Sequence, residues 1–329
     1  MLYPLTFQPI FKERIWGGRN LETLYKKNLP PKVPVGESWE ISDRPGDESV
    51  IANGPLAGKT LHWLMENHRD ELMGGNKSGG HRPPLQSDRF PLLIKILDAQ
   101  EKLSLQVHPP AALAAQMGGE PKTEMWYIAD AGPDADLFVG LKKGVTRAEF
   151  EKKISDQTVA DCFHRIPVKP GDVMFLPSGR VHAIGAKNVI FEIQQNSDTT
   201  YRVFDWNRVD PSGKPRELHV AQSLASIDFS DFEPPLLPNN PQTFGSRRVR
   251  PLVSNELFDV RWMEMHGGTH FSDKRMNIIG VLTGKLRVVY ASHRLQISPG
   301  EFCLIPASAG HTVVQPEGAA TFLEVRLGA

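Results

Sequence analysis

Apolar residues in this chain come in short runs, and most of the runs alternate. In "KLSLQVHPP" (102–110), Leu103, Leu105 and Val107 alternate with Ser104, Gln106 and His108. That is the period of a strand with one face in a core, and Pro109 ends it. "SWEIS", "PLLIKILDA", "EMWYIA", "DLFVGL", "DVMFLP" and "NVIFEIQQ" read as further strands, punctuated by proline and glycine. Helical periodicity is scarcer. It appears in "TLHWLMENHRDELMG" from Thr60, "TRAEFEKKIS" from Thr146 and "PRELHVAQSLASI" from Pro215. Thr60 and Thr146 stand at N-cap positions, and Glu149 has capping-box spacing from Thr146. "GGNKSGGHRPPLQSD" (74–88) and "EPPLLPNNPQTFGS" (233–246) read as loops, the second of them as a domain boundary.

A repeat gives the architecture. "VKPGDVMFLPSGRVHAI" (168–184) and "ISPGEFCLIPASAGHTVV" (297–314) share a Pro-Gly turn, an acid, an apolar strand, a proline and a histidine at equal spacing. The unit resembles the second half of the cupin signature, present twice. The expectation is a mostly β protein of two cupin-like (jelly-roll) barrels. Residues 1–235 form the first, enlarged by helices, and residues 236–329 the second.

Inward polar residues in so small a barrel need a reason. Gln106 and His108 share a strand face, Glu124 opens "EMWYIA", and the repeat delivers His182. One such residue alone is more often a surface or hydrogen-bonded side chain. Jointly, two imidazoles, a carboxylate and an amide oxygen make a ligand set for a divalent metal. Imidazole suits zinc, iron and manganese, and zinc is preferred for a compact site without redox chemistry. The second barrel has His311 at the place of His182 but no Gln-x-His pair. Only Lys274, Arg275, Met276 and Asn277 lie near where a glutamate ligand would fall, and His270 could at most join His311. It is expected to be metal-free.

Composition narrows the field. Lys+Arg and Asp+Glu are both 38 among 329 residues, so no basic excess points to nucleic acid. "SRRVR" (246–250) reads as a solvated linker or strand edge. Cys162 and Cys303 are too few and too far apart for a disulfide framework, which fits a reduced, cytoplasmic setting. No apolar run has the length of a membrane span, and the N-terminus lacks a signal-peptide pattern. A nucleophile elbow, a P-loop and a dinucleotide fingerprint are all missing.

"FKERIWGG", "GESWEIS", "RFPLLIKILDA", "LSLQVHP", "KTEMWYI", "PSGRVHAI" and "QQNSDTTYRVFDWNR" resemble, in this order, the motifs of type I mannose-6-phosphate isomerases in their short bacterial form. The resemblance implies a zinc-dependent aldose–ketose isomerase, an intramolecular oxidoreductase that interconverts mannose 6-phosphate and fructose 6-phosphate through an enediolate. By motif, Gln106, His108, Glu124 and His182 would hold one Zn²⁺ per chain. Arg202 falls on the family's active-site arginine and Lys122 on its lysine two before the glutamate. Phosphate contacts would fall on Ser104 and Lys95, with Glu192 beside them at the substrate. Lys95, in an otherwise buried strand, has a phosphate dianion as its natural partner. The general base stays open among Lys122, Asp198, Glu192 and His108, with burial and a nearby cation expected to lower Lys122 toward neutrality. The expected partner is the phosphosugar alone, and the assembly a monomer or weak homodimer. A metal-dependent cupin oxygenase and a non-catalytic sugar-binding cupin are the alternatives.

Overall fold

The alternating runs pair into antiparallel sheets. The computed structural model describes residues 2–74, 88–209, 213–271 and 275–328, so most of the loop expected at 74–88 lies outside the described residues. A six-stranded sheet runs Ile10–Gly18, Val35–Ile41, Leu92–Ala99, Asn188–Gln195, Glu124–Ala131, Val173–Leu176 in spatial order. It stacks on a five-stranded sheet of Tyr201–Phe204, Leu105–Val107, His182–Ile184, Asp136–Leu141 and Phe163–Pro167. Leu97, Trp126 and Met174 from the first meet Leu137, Val139 and Ile184 from the second in a shared core.

The later part of the chain repeats this plan. One sheet contains Phe258–Met265, Ala320–Leu327, Asn277–Thr283 and Phe302–Ile305 in that order, beyond Gln242–Phe244 and Arg247–Ser254. Its companion runs Thr269–Phe271, Thr312–Pro316, Leu286–Tyr290, His293–Ile297. The strands from Leu92–Ala99 to Asn188–Gln195 thus match those from Phe258–Met265 to Ala320–Leu327 one for one, in both chain order and sheet order. The Pro-Gly repeat marks the same step in each unit. Closed barrels were expected, but among the described residues every sheet keeps two open ends. Closure would need the edge strands to pair across to the other sheet, and Tyr201–Phe204 and Phe163–Pro167 pair only within their own.

The outer faces of the two six-stranded sheets bury each other. Ile94, Ile96, Phe191 and Ile193 meet Val260, Ile278, Leu304 and Val325 in one core. That double coverage explains why Leu92–Ala99 is buried at every position and reads as a nearly unbroken apolar run.

Three local expectations need correction. The helix from Thr60, capped by Thr60 Oγ1 accepting from Trp63 N at 3.0 Å, breaks at His68 into Leu61–Asn67 and Arg69–Met73. The helix from Pro215 begins only at Val220. Its preceding residue is held against a strand, with His219 N donating to Arg202 O at 2.8 Å and Arg202 N donating to His219 Nδ1 at 3.2 Å. "SRRVR" is not all solvated. Arg250, 3 % exposed, donates to the carbonyls of Gly171 at 2.7 Å, Pro238 at 3.0 Å and Leu237 at 3.1 Å. It ties the second unit to the Pro-Gly turn of the first.

Cys162 and Cys303 are free and buried. Among the described residues no helix is long and apolar enough to cross a membrane. Arg250→Ala would strand three backbone carbonyls and should lower unfolding stability by ~2–4 kcal/mol in urea titration, with Arg250→Lys failing to restore it because one ammonium cannot span all three. A loss under ~0.5 kcal/mol would rule out this tie.

Candidate metal centre

Strand register gathers the site. Gln106 pairs directly with His182 on one side and Arg202 on the other, so these three side chains share a face of the five-stranded sheet. On the opposing sheet Glu124 pairs with Gln194, and Glu192 pairs with both Lys95 and Trp126. Gln106 and His108 point inward, as the 103–108 alternation leads one to expect.

His108, Glu124 and His182 are almost wholly buried, and their ligand atoms lie within 4.8 Å of one another, the one such group found among the described residues. Each imidazole is fixed from behind. His108 Nδ1 donates to Thr199 O at 2.8 Å and His182 Nδ1 donates to Arg180 O at 2.9 Å. A carbonyl only accepts, so Nδ1 carries the proton in both rings and each Nε2 presents a lone pair inward. Between them stands Glu124 Oε1, 3.3 Å from His182 Nε2 and 3.7 Å from His108 Nε2, buried and accepting no hydrogen bond. Three acceptors converging without a proton among them call for a cation.

Two neighbours complete the arrangement. Gln106 Nε2 lies 3.3 Å from His182 Nε2, and a half-turn of the amide would put Oε1 there instead. The Lys122 ammonium sits 2.6 Å from Glu124 Oε2 and 3.3 Å from His108 Nε2. Burial, with help from Lys122, depresses His108 from 6.5 to about 3, and burial also lowers His182. Burial works against ionised Glu124, but the Lys122 ammonium holds it well below the usual carboxylate range. All three groups are therefore in the protonation states a metal needs.

The chain has known counterparts. A profile of the phosphomannose isomerase type I catalytic domain matches residues 5–133. ManA, a mannose-6-phosphate isomerase of Bacillus subtilis (strain 168), is 36 % identical over 315 residues, covering 93 % of this chain and 94 % of that one. The crystal structure of a Bacillus subtilis mannose 6-phosphate isomerase superimposes with a TM-score of 0.88 at 32 % identity, over 99 % of this chain and all of the other. This chain belongs to the type I phosphomannose isomerase family. A mannose 6-phosphate isomerase described as bound with zinc and yttrium shares the fold at a TM-score of 0.73 and 16 % identity, over the full length of both chains.

In this phosphomannose isomerase fold a cavity of about 380 Å³ opens beside the three buried ligand residues. The six residues expected to act on substrate, Lys95, Ser104, Lys122, Glu192, Asp198 and Arg202, all line it, together with Gln106. Arg14, Trp16, Glu37, Trp126 and Arg216 line it too and were not singled out from the sequence. Glu37, Trp39, Lys95 and Trp126 were visible as polar or aromatic interruptions inside strand-like runs. Arg216 carried no such signal.

Lys95 is not unpaired: its ammonium lies 3.5 Å from Glu37 Oε2 and 3.4 Å from Glu192 Oε1, and 5.0 Å over the Trp39 ring. Burial opposes ionisation of Glu37, yet Lys95 and Arg14 hold its pKa at about 2, so Glu37 is ionised near neutral pH. Nor is Lys122 lowered. Burial pulls its pKa down, but the Glu124 and Glu192 carboxylates outweigh that and push it above its ordinary value. Arg202 lies on the strand Tyr201–Phe204.

A pH dependence follows. His108, depressed from 6.5 to about 3, refuses a proton that the unfolded chain accepts, so its contribution to stability is present above pH 6.5 and lost as the pH falls toward 3. Glu124, also lowered, acts in the same sense, while Glu192, raised by burial, acts in the opposite one. For chelator-treated protein, the urea midpoint should fall between about pH 7.5 and about pH 5, and His108→Asn should shrink that difference. An equal difference in wild type and variant would count against a neutral buried His108.

Proposed function

We propose that this chain interconverts mannose 6-phosphate and fructose 6-phosphate and does so with one Zn²⁺ held by Gln106, His108, Glu124 and His182. The observation that carries the metal is Glu124 Oε1, buried without a hydrogen bond between two imidazole lone pairs. When bound, the ion supplies a Lewis acid for the sugar's oxygens, with residual positive charge because only one ligand is anionic.

The chain's own residues provide proton transfer. Aldose–ketose exchange moves the C2 proton to C1 and the O2 hydroxyl proton to O1, through an enediolate. Of the four base candidates, His108 is committed at Nδ1 to Thr199 and turned toward Glu124 at Nε2. Lys122 is kept charged by its carboxylate neighbours, and Asp198 is exposed at the rim. Glu192 fits the task best. Burial, joined by Glu124, raises its pKa against the pull of Lys122 and Lys95. Its Oε2 accepts from Trp126 Nε1 at 2.8 Å, while the buried Oε1 accepts no hydrogen bond. We assign Glu192 the carbon proton and the Lys122 ammonium the hydroxyl proton. Arg202, whose buried Nε lacks a partner, and Ser104 serve the anionic end of the substrate. This pairing of acid and base favours isomerisation over an oxygenase or a purely sugar-binding cupin.

We further read the two stacked-sheet units as a duplicated cupin plan divided near residue 235, the second without metal. In the matching register Asn277 takes the place of Glu124, Glu324 that of Glu192, and Arg326 that of Gln194. Arg326 Nε donates to Asn277 Oδ1 at 2.7 Å and pairs with Glu324 at 2.7 Å, so a guanidinium supplies the positive charge inside this unit. His311 is exposed, on backbone with φ +68°.

Dialysis against a strong chelator should abolish conversion of mannose 6-phosphate, and added Zn²⁺ should restore it. Elemental analysis should find one zinc per chain in wild type and in His311→Ala, and none in His182→Ala. Full turnover in a metal-free sample, or two tightly bound zinc ions, would refute these assignments. Glu192→Gln should lower kcat by roughly 10²–10⁴-fold with zinc retained; near-normal kcat would remove Glu192 from the proton path.

A further inference from the structure

The rim of the cavity carries more positive charge than its structural needs explain. Asp205, just after the Tyr201–Phe204 strand and 5 % exposed, is gripped by two arginines. Arg216 binds it in fork geometry, Nε to Oδ2 at 2.7 Å and Nη2 to Oδ1 at 2.5 Å, and Arg208 Nη2 donates to the same Oδ1. An antiparallel bridge between Val209 and Pro215 sets Arg208 and Arg216 side by side. Arg208 is also tied to Lys102 O at 2.7 Å. Arg202 makes a third guanidinium, fixed through Nη1 to Glu217 O at 2.8 Å. Asp205 can neutralise one of these three charges.

The surplus is directed. Arg202 and Arg216 both line the cavity, whereas Arg208 does not. Arg216 spends its Nε–Nη2 edge on Asp205, which leaves Nη1 turned away from that carboxylate, and the buried Nε of Arg202 has no partner. Like charges held together at a partly buried rim are costly unless an anion joins them. The cost is visible in Arg202, whose pKa is lowered by burial and then by Arg216, with Asp205 and the exposed Glu217 only partly offsetting. Asp198 also lines the cavity, but it is exposed and well solvated. The opposite wall offers no comparable surplus, since Lys95 and Arg14 are matched by Glu37 and Glu192.

We propose that Arg216, positioned by Asp205, forms with Arg202 the clamp for the phosphate monoester of the substrate, so that this rim and not Lys95 makes the enzyme require a phosphorylated sugar. The inference rests on the phosphosugar reading above and deepens it. Two guanidinium edges meet a tetrahedral dianion with directed, charge-assisted hydrogen bonds, which a lone ammonium does not match. Gln106 pairs in register with Arg202, so a sugar held here by its phosphate extends toward the metal ligands.

The test measures KM and kcat with mannose 6-phosphate and, separately, the affinity for inorganic phosphate by calorimetry, all on zinc-loaded protein. Arg216→Ala should raise KM by about 10- to 100-fold and weaken phosphate binding in parallel, with zinc content retained. Arg216→Lys should recover part of both. Asp205→Asn should raise KM more than it lowers kcat, the mark of a positioning residue. Wild-type phosphate affinity in Arg216→Ala would overturn the proposal, as would an equal loss in Lys95→Met. Should the wild type bind inorganic phosphate, lose that binding in Arg216→Ala and yet fail to isomerise mannose 6-phosphate, the clamp stands and the assigned reaction falls.

Discussion

Everything in the first unit answers to one constraint: an ionised carboxylate, Glu124, is fully buried among the lone pairs of two imidazoles. Burying a charge costs several kcal/mol unless a partner is present, and lone pairs facing an anion add repulsion. The fold accepts this by fixing each ring from behind through a backbone carbonyl and by supplying Lys122 at 2.6 Å from the other carboxylate oxygen. Such rigidity has a chemical use. Ligands already turned and deprotonated need little reorganisation when a cation arrives.

The second unit meets the same topological problem differently. Its strands repeat the order and register of the first, so it too has an interior position where Glu124 would stand. Asn277 occupies it, and the cation is covalent: Arg326 reaches Asn277 and Glu324. A lysine–glutamate pair across strands, Lys95 with Glu192, reappears in register as Arg261 with Glu324. The units also hold one another by matching ties. Arg250 of the second caps the Gly171 carbonyl of the first, and Lys27 of the first caps the Gly300 carbonyl of the second at 2.9 Å. Gly300 must be glycine twice over, with φ +79° and Tyr25 within 2.5 Å of where a Cβ would sit.

Charge along the cavity is partitioned. At one end, one carboxylate and two imidazoles form a metal-binding group. Along one wall, Glu37 stays ionised and keeps Lys95 engaged, which leaves Glu192 as the carboxylate whose proton affinity burial has raised. At the rim, arginines exceed acids. A substrate with an oxygen-rich reacting end and a dianionic tail complements that gradient from both ends.

Much of this was legible in the chain itself. Period-two alternation placed Gln106 and His108 on one face because successive strand residues point to opposite sides. The Pro-Gly repeat exposed the duplication because a tight turn demands the same residues each time it is built. The caps at Thr60 and Thr146 followed from local hydrogen bonding. Open sheets in place of closed barrels, the burial of Arg250, the carboxylate partners of Lys95 and the role of Arg216 were not legible. Each depends on groups brought together from distant parts of the chain, as Lys95 meets Glu37 and Glu192 across two strand pairings. Local pattern fixes which way a side chain points. Only the packed fold decides which charges it finds there, because electrostatic energy depends on distance and burial, and neither is a property of sequence neighbours.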